Sequence, residues 1–199
     1  MKQGRIIILS GPSGVGKGTV IREVMRRDPS LRFSVSATTR AIRPGEVDGV
    51  NYYFVDRARF EQMIADGELL EHATYAGNYY GTPVKPLEEA LAQGVSVVLE
   101  IEVQGALQVM ERRPDALSIF VAPPSYAELE RRLRGRGDTP PDVAAKRLKI
   151  ALDECRLAER YQYTVINDTV EHAAQELQAI LTAEACRSQY RTIHLKEEI

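Results

Sequence analysis

Seven residues near the amino end, Gly11 Pro12 Ser13 Gly14 Val15 Gly16 Lys17, have the spacing G-x-x-x-x-G-K, and that spacing serves the cradling of a polyphosphate. The glycines let consecutive backbone N–H groups curl around an anion, and the lysine sets a point charge on the outer phosphates. The residue after the lysine in this motif usually carries a hydroxyl for magnesium; here it is Gly18, with Thr19 next in line. Such a loop specifies a nucleoside triphosphate and leaves the second substrate open. Glu100 and Glu102 end a strand-like run that begins at Val95. If the strand continues, both project to one side at its carboxyl end, where a magnesium ion or a bound substrate sits in an open parallel sheet. A solvated strand end is the plainer alternative. Arg40 and Arg43 follow another short strand-like run, three residues apart, and two guanidinium forks near one point suit a phosphate dianion.

The elements around these residues alternate. Arg5 to Ser10 is a β-branched run, and Val20, Ile21, Val24 and Met25 recur at helical spacing from Lys17 onward. Val95 to Ile101 reads as a strand, Ala106 to Met110 as part of a helix and Ala116 to Val121 as a strand, the order of a parallel sheet covered by helices. Ser125 with Glu128 forms a capping box for a helix through Leu129 and Leu133 that stops near Gly135 and Gly137. Thr139 and Pro140 open the next, whose Ala144, Leu148, Ala151, Leu152, Cys155 and Ala158 share one face. Tyr163 to Ile166 is a last strand, and a final helix uses Ala173, Ala174, Leu177, Ile180 and Leu181. From Arg187 the chain is polar enough to fray. The stretch from Leu31 to Gly94 differs: Thr, Arg, Gly and Tyr interleave, only Phe60 to Ile64 reads clearly as helix, and five of the nine tyrosines fall between Tyr52 and Tyr80. It is an inserted lobe whose small mixed sheet lines a pocket.

Composition bounds the rest. With 199 residues, 44% of them hydrophobic and 27% charged, the chain has the mix of a soluble domain with a real core. Its 26 basic against 28 acidic residues leave a formal charge of -2, which argues against nucleic-acid binding by charge alone. The longest apolar runs, such as Ile6 to Leu9, are four residues, against roughly 20 for a membrane span and about 7 to 15 for a signal-peptide core. A cytoplasmic protein is expected. Cys155 and Cys186 fall in helical patterns that would bury them as reduced packing residues.

The sequence resembles guanylate kinase, the nucleoside monophosphate kinase family that makes GDP from GMP. The resemblance is carried by Gly11 to Gly18, Ser36 to Arg43, Gly77 Asn78 Tyr79 Tyr80 Gly81 Thr82, Glu100 to Gly105 and Arg132 to Arg136. It implies an α/β fold: a P-loop three-layer α/β/α core with a parallel sheet (about 1–33, 95–124 and 148–190), an inserted GMP-binding lobe (about 34–94), a mobile helical lid (about 125–147) and a polar tail (about 191–199). It implies ATP and GMP as substrates, with dGMP left open, magnesium as cofactor, and no nucleic-acid or membrane partner. By position it sets Ser36, Arg40, Arg43, Tyr52 and Tyr80 around the GMP phosphate and Glu71 and Thr82 on the guanine edge, with Glu100 and Glu102 serving metal or substrate. The ATP side comprises Gly11 to Thr19 and Asn167, with Lys17, Arg40, Arg132, Arg136 and Arg147 as catalytic residues and Thr19 and Glu100 toward the metal. Read without the family, Glu71 is an ordinary acid, the tyrosines are core filler, and Arg131, Arg132, Arg134 and Arg136 are a solvated helix face paired with Glu128 and Glu130. His72 and His172 read as bystanders.

Overall fold

The computed structural model describes residues 4–75, 77–134 and 141–191. Arg136 and the helix opening at Thr139 and Pro140 lie outside the described residues. At its centre runs β1 (Ile6–Ser10), buried along its whole length. Its neighbours are all parallel: β7 (Ser96–Glu100) and then β2 (Leu31–Phe33) on one side, β8 (Leu117–Ala122) and then β9 (Tyr163–Ile166) on the other. Alternate side chains of β1 point into two different cores. Ile7 and Leu9 pack with Val20, Ile21 and Val24 of α1 (Lys17–Arg27) and Leu177 of α7 (Val170–Ala185). Ile6 and Ile8 pack with Leu87 and Leu91 of α3 (Val84–Ala92) and Val103, Ala106 and Val109 of α4 (Val103–Arg112). A strand covered on both faces is apolar over most of its length, which is why β1 reads as the apolar run Ile6–Leu9 ahead of its buried Ser10.

The second sheet has the order β4-β3-β6-β5 and is mixed, as expected. β3 (Ala37–Thr38) pairs parallel with β4 (Tyr53–Phe54) and antiparallel with β6 (Asn78–Pro83), which pairs with β5 (Leu69–Tyr75). Phe60 and Met63 of α2 (Arg57–Ala65) close its own small core over Ala37 and Leu69. Asp56 caps α2 by accepting the N–H of Arg59 at 2.7 Å. A further pair, α5 (Tyr126–Arg134) and α6 (Pro141–Cys155), joins through Leu129, Leu133, Leu148 and Ala151. The Ser125 hydroxyl caps α5 through the N–H of Glu128 at 3.2 Å.

Several expectations are corrected. The stretch 31–94 holds a second helix, α3, and it packs on the core sheet. Pro86 stands in the first turn of α3, where its missing N–H costs nothing. Cys186 follows the last turn of α7 and is exposed, and Cys155 closes α6 half-buried; both are free thiols. Leu152 is exposed as well, because α5 covers a narrower stripe of α6 than the spacing outlines. The chain does not fray at Arg187. Ser188–Tyr190 form a 3-10 turn, and the Arg5 guanidinium lies 4.9 Å from the Tyr190 ring centre, a cation–π tie back to the core. Among the described residues no helix is long and apolar enough to cross a membrane.

Candidate active site

A cavity of about 580 Å³ opens where the carboxyl ends of β1 and β7 face the second sheet. Gly11, Ser13 and Lys17 form one wall, Glu100 and Glu102 the floor, and Arg147 with Glu154 a flank. Ser36, Arg40, Arg43, Tyr52, Glu71 and Tyr80 form the opposite wall. Lys17, Arg40, Arg43, Glu71, Glu100, Glu102 and Arg147, all singled out in the sequence, therefore line one space, whereas Thr19, Thr82, Arg132 and Asn167 do not line it.

The loop between β1 and α1 is held from outside by side chains. Gly16 has φ 93°, and a Cβ there would stand 2.7 Å from Asn167 Nδ2, so glycine is required on both counts. Asn167 is buried; its Nδ2 donates to the Val15 carbonyl at 2.7 Å, leaving Oδ1 unpartnered. Arg132 donates to the same carbonyl at 3.1 Å, to Asn167 O at 3.0 Å and to Glu128 Oε1 at 2.6 Å. Arg131 and Arg134 make ordinary surface pairs with Glu128 and Glu130. The arginine cluster thus divides: the solvated-face reading holds for two members, while Arg132 turns inward to the loop. Arg147 donates to the Ser13 hydroxyl at 2.6 Å.

Lys17 Nζ bonds the carbonyls of Gly11 at 2.5 Å and Pro12 at 3.2 Å. Burial lowers its pKa, opposed by the charges of Glu100, Glu154 and Glu102. Glu154 was not foreseen. It lies on the apolar stripe of α6, three residues after Ala151, and a lone acid on a buried stripe is the signal that could have found it. Burial raises its carboxyl pKa, partly offset by Lys17 and the Ser13 N–H. Glu100 lies against Gly18, where a Cβ would come within 3.0 and 3.2 Å of its two oxygens. The position that lacks a hydroxyl is therefore filled by a carboxylate, a hard oxygen donor suited to magnesium. Thr19 is exposed on the first turn of α1.

On the opposite wall, Arg40 grips Glu46 with both prongs, Nη1 to Oε2 at 3.0 Å and Nη2 to Oε1 at 2.7 Å. The same Oε2 accepts the Arg43 N–H at 2.8 Å. The Arg40 guanidinium lies 5.3 Å from the centre of the Tyr52 ring, which meets Tyr80 edge-on at 6.1 Å. Deeper in, Glu71 is 3% exposed and accepts the Thr82 hydroxyl at 2.7 Å. Burial pushes its pKa up to about 7, with the Thr82 bond pulling the other way and Glu102 adding to the rise. Burial raises the Glu102 carboxyl too, helped by Glu154 and opposed by Lys17. His72 and His172 do not line the cavity: His72 meets Gln108 through its backbone, and His172 pairs with Asp168 at 3.0 Å on the exposed start of α7.

A family profile described as guanylate kinase matches residues 3–184. This chain belongs to the guanylate kinase family. Guanylate kinase from Carboxydothermus hydrogenoformans is 50% identical over 184 residues, 92% of this chain and 90% of the relative. Guanylate kinase from Halalkalibacterium halodurans is 52% identical over 186 residues, 94% and 91% of the two chains. The crystal structure of guanylate kinase from Anaplasma phagocytophilum superposes with a TM-score of 0.76 at 39% identity, covering 94% of this chain and 89% of that one. The family is one of nucleoside monophosphate kinase enzymes, and its P-loop fold is the one described above.

Proposed function

We infer that this protein transfers the γ-phosphoryl group of ATP to the α-phosphate of GMP, giving ADP and GDP, with magnesium as cofactor and the cytoplasm as its setting. The observation that carries this reading is a single cavity with a P-loop lysine on one wall and paired arginines beside a buried acid on the other. No general base is needed, because a phosphomonoester with a second pKa near 6 is already mostly a dianion at neutral pH and attacks directly. Catalysis is alignment and charge neutralisation. Lys17 and the loop amides from Gly11 to Thr19 hold the donor phosphates, with Asn167 and Arg132 fixing the loop from behind. Arg40, Arg43, Ser36, Tyr52 and Tyr80 hold the acceptor phosphate in line. Glu71 accepts from guanine N1–H and the exocyclic amine, whereas adenine offers a lone pair at N1, so the acid selects guanine by repelling adenine. Thr82 orients Glu71 from behind.

Glu100, set against Gly18, is the residue that would hold magnesium, with Glu102 beside it toward the acceptor. Bound there, the metal supplies charge neutralisation to the phosphates. Residues 34–94 serve as the acceptor lobe, its helix α3 seated on the core sheet, and 125–147 as a lid, from which Arg136 and Arg147 act on the phosphates on closure while Arg132 holds the loop. Release of ADP measured with GMP, dGMP, AMP and sugar phosphates as acceptors tests the reading. GMP should be preferred over AMP by orders of magnitude; equal rates with a sugar phosphate would replace it with a kinase for another phosphorylated acceptor.

A further inference from the structure

One face of α4 is turned toward the lobe. Gly105, Gln108 and Arg112 are spaced by three and four residues and so share that face, and all three meet β5. Arg112 Nη1 donates to the Leu70 carbonyl at 2.6 Å. Gln108 closes a two-way bond with the His72 backbone, giving Nε2 to the carbonyl at 2.9 Å and accepting the N–H at 3.3 Å. Glu71 lies between these two anchored residues. At the third position the helix has no side chain to give: a Cβ on Gly105 would overlap Glu71 Oε2 and stand 3.0 Å from its Cδ. Gly105 has ordinary helical backbone inside α4, so no left-handed conformation demands glycine there. Helix propensity argues against glycine at this place. What remains to require it is the carboxylate.

We propose that Gly105 is a positioning residue for the acceptor base: its missing side chain lets Glu71 lie against the first turn of α4, while Gln108 and Arg112 fix the height of the strand that carries it. This rests on the reading of Glu71 as the guanine acceptor. The positive end of α4 suits a carboxylate at that turn, and because α4 follows directly from Glu100 and Glu102, the same helix relates the base-reading acid to the floor of the cavity.

The test is steady-state kinetics and thermal melting of Gly105→Ala, Glu71→Ala and the double variant. Gly105→Ala should raise KM for GMP at least about tenfold, the loss expected when a hydrogen-bonded acceptor is displaced, with KM for ATP and kcat at saturating GMP changed less than about threefold. In the Glu71→Ala background the same substitution should leave KM for GMP where it was and raise the melting temperature, since the obstruction is gone and alanine favours the helix. A merely structural glycine would instead lower kcat and both affinities, and would do so in either background; that result overturns the proposal, as does an unchanged KM for GMP in Gly105→Ala. Should Gly105→Ala fail to fold, the double variant must still fold, and its failure would show that Gly105 packs for reasons other than Glu71. If Glu71→Ala itself leaves GMP binding intact, the base-reading role of Glu71 falls, and the role of Gly105 with it.

Discussion

The two walls of the cavity are built on different principles. The G-x-x-x-x-G-K loop follows a strand buried on both faces and offers the cavity backbone amides plus one lysine, locked from behind by Asn167 and Arg132. The opposite wall, proposed for the acceptor, hangs on strands as short as two residues and offers side chains already engaged with one another, Arg40 with Glu46 and Glu71 with Thr82. A polyphosphate is alike in every nucleotide, so a rigid backbone cradle serves. A base has to be told from other bases, and only side chains of chosen type at fixed height do that. The difference teaches that damage to the first wall should cost rate whatever the acceptor, and damage to the second should cost discrimination.

Lys17→Ala is the hardest blow to that comparison. Turnover should fall by on the order of 10³-fold with every acceptor while circular dichroism stays unchanged, and near-normal turnover would remove the loop from the mechanism. Arg132→Ala comes next. It leaves the Val15 carbonyl with its Asn167 bond alone and strips the Arg132 donor from Asn167 O, a loss of about 1 to 3 kcal/mol, so KM for ATP should rise by tenfold or more with KM for GMP little changed. Glu71→Gln should weaken GMP by roughly tenfold or more at pH 8 and leave ATP alone, measured by calorimetry with each nucleotide.

The pH dependence sharpens the same contrast. On the proposed reading Glu71 accepts from guanine as a carboxylate, and burial pushes its pKa up to about 7, so GMP affinity should fall as pH drops from 8 to 6, with Glu71→Gln keeping only the step of the substrate phosphate. Stability runs the other way. A folded pKa above the usual 4.5 means that the contribution of Glu71 is fully present below that value and is lost as pH rises through about 7, so Glu71→Gln should melt higher than the parent at pH 8. The smallest effect is Arg131→Ala. That arginine is 73% exposed, against 20% for its neighbour Arg132, and its loss should change stability by less than about 0.5 kcal/mol and catalysis not at all.

How much was legible follows from the same division. The phosphate loop, the parallel strands and α1 rest on local pattern: an unbroken apolar run, glycines at fixed spacing and a helical stripe. Strand β9 was readable to the residue for that reason. The acceptor wall is assembled from residues far apart in sequence. Nothing local marks Glu71 as buried, pairs Arg40 with Glu46, or turns Arg132 inward while Arg131 and Arg134 stay in water. There the family resemblance singled out Glu71, Arg40 and Arg132, but it did not foresee the Arg40–Glu46 pair or the bonds from Arg132 to the loop. The helix α3 and the inward acid Glu154 escaped both: α3 is a short helix with a proline in its first turn, and Glu154 is a single charge on an apolar stripe.

The bidentate grip of Glu46 on Arg40 has a consequence for traffic through the cavity. Arg40 already carries a carboxylate tethered to the same loop, so on the proposed reading an arriving phosphate would share the guanidinium with Glu46, through the N–H groups that Glu46 leaves free, or displace it. Inorganic phosphate or sulfate brings only its own charge to that meeting. A nucleotide long enough to touch Glu71 with its base while its phosphate meets Arg40 would bring a second foothold, and on that reading the lobe would sort its callers by reach as well as by charge.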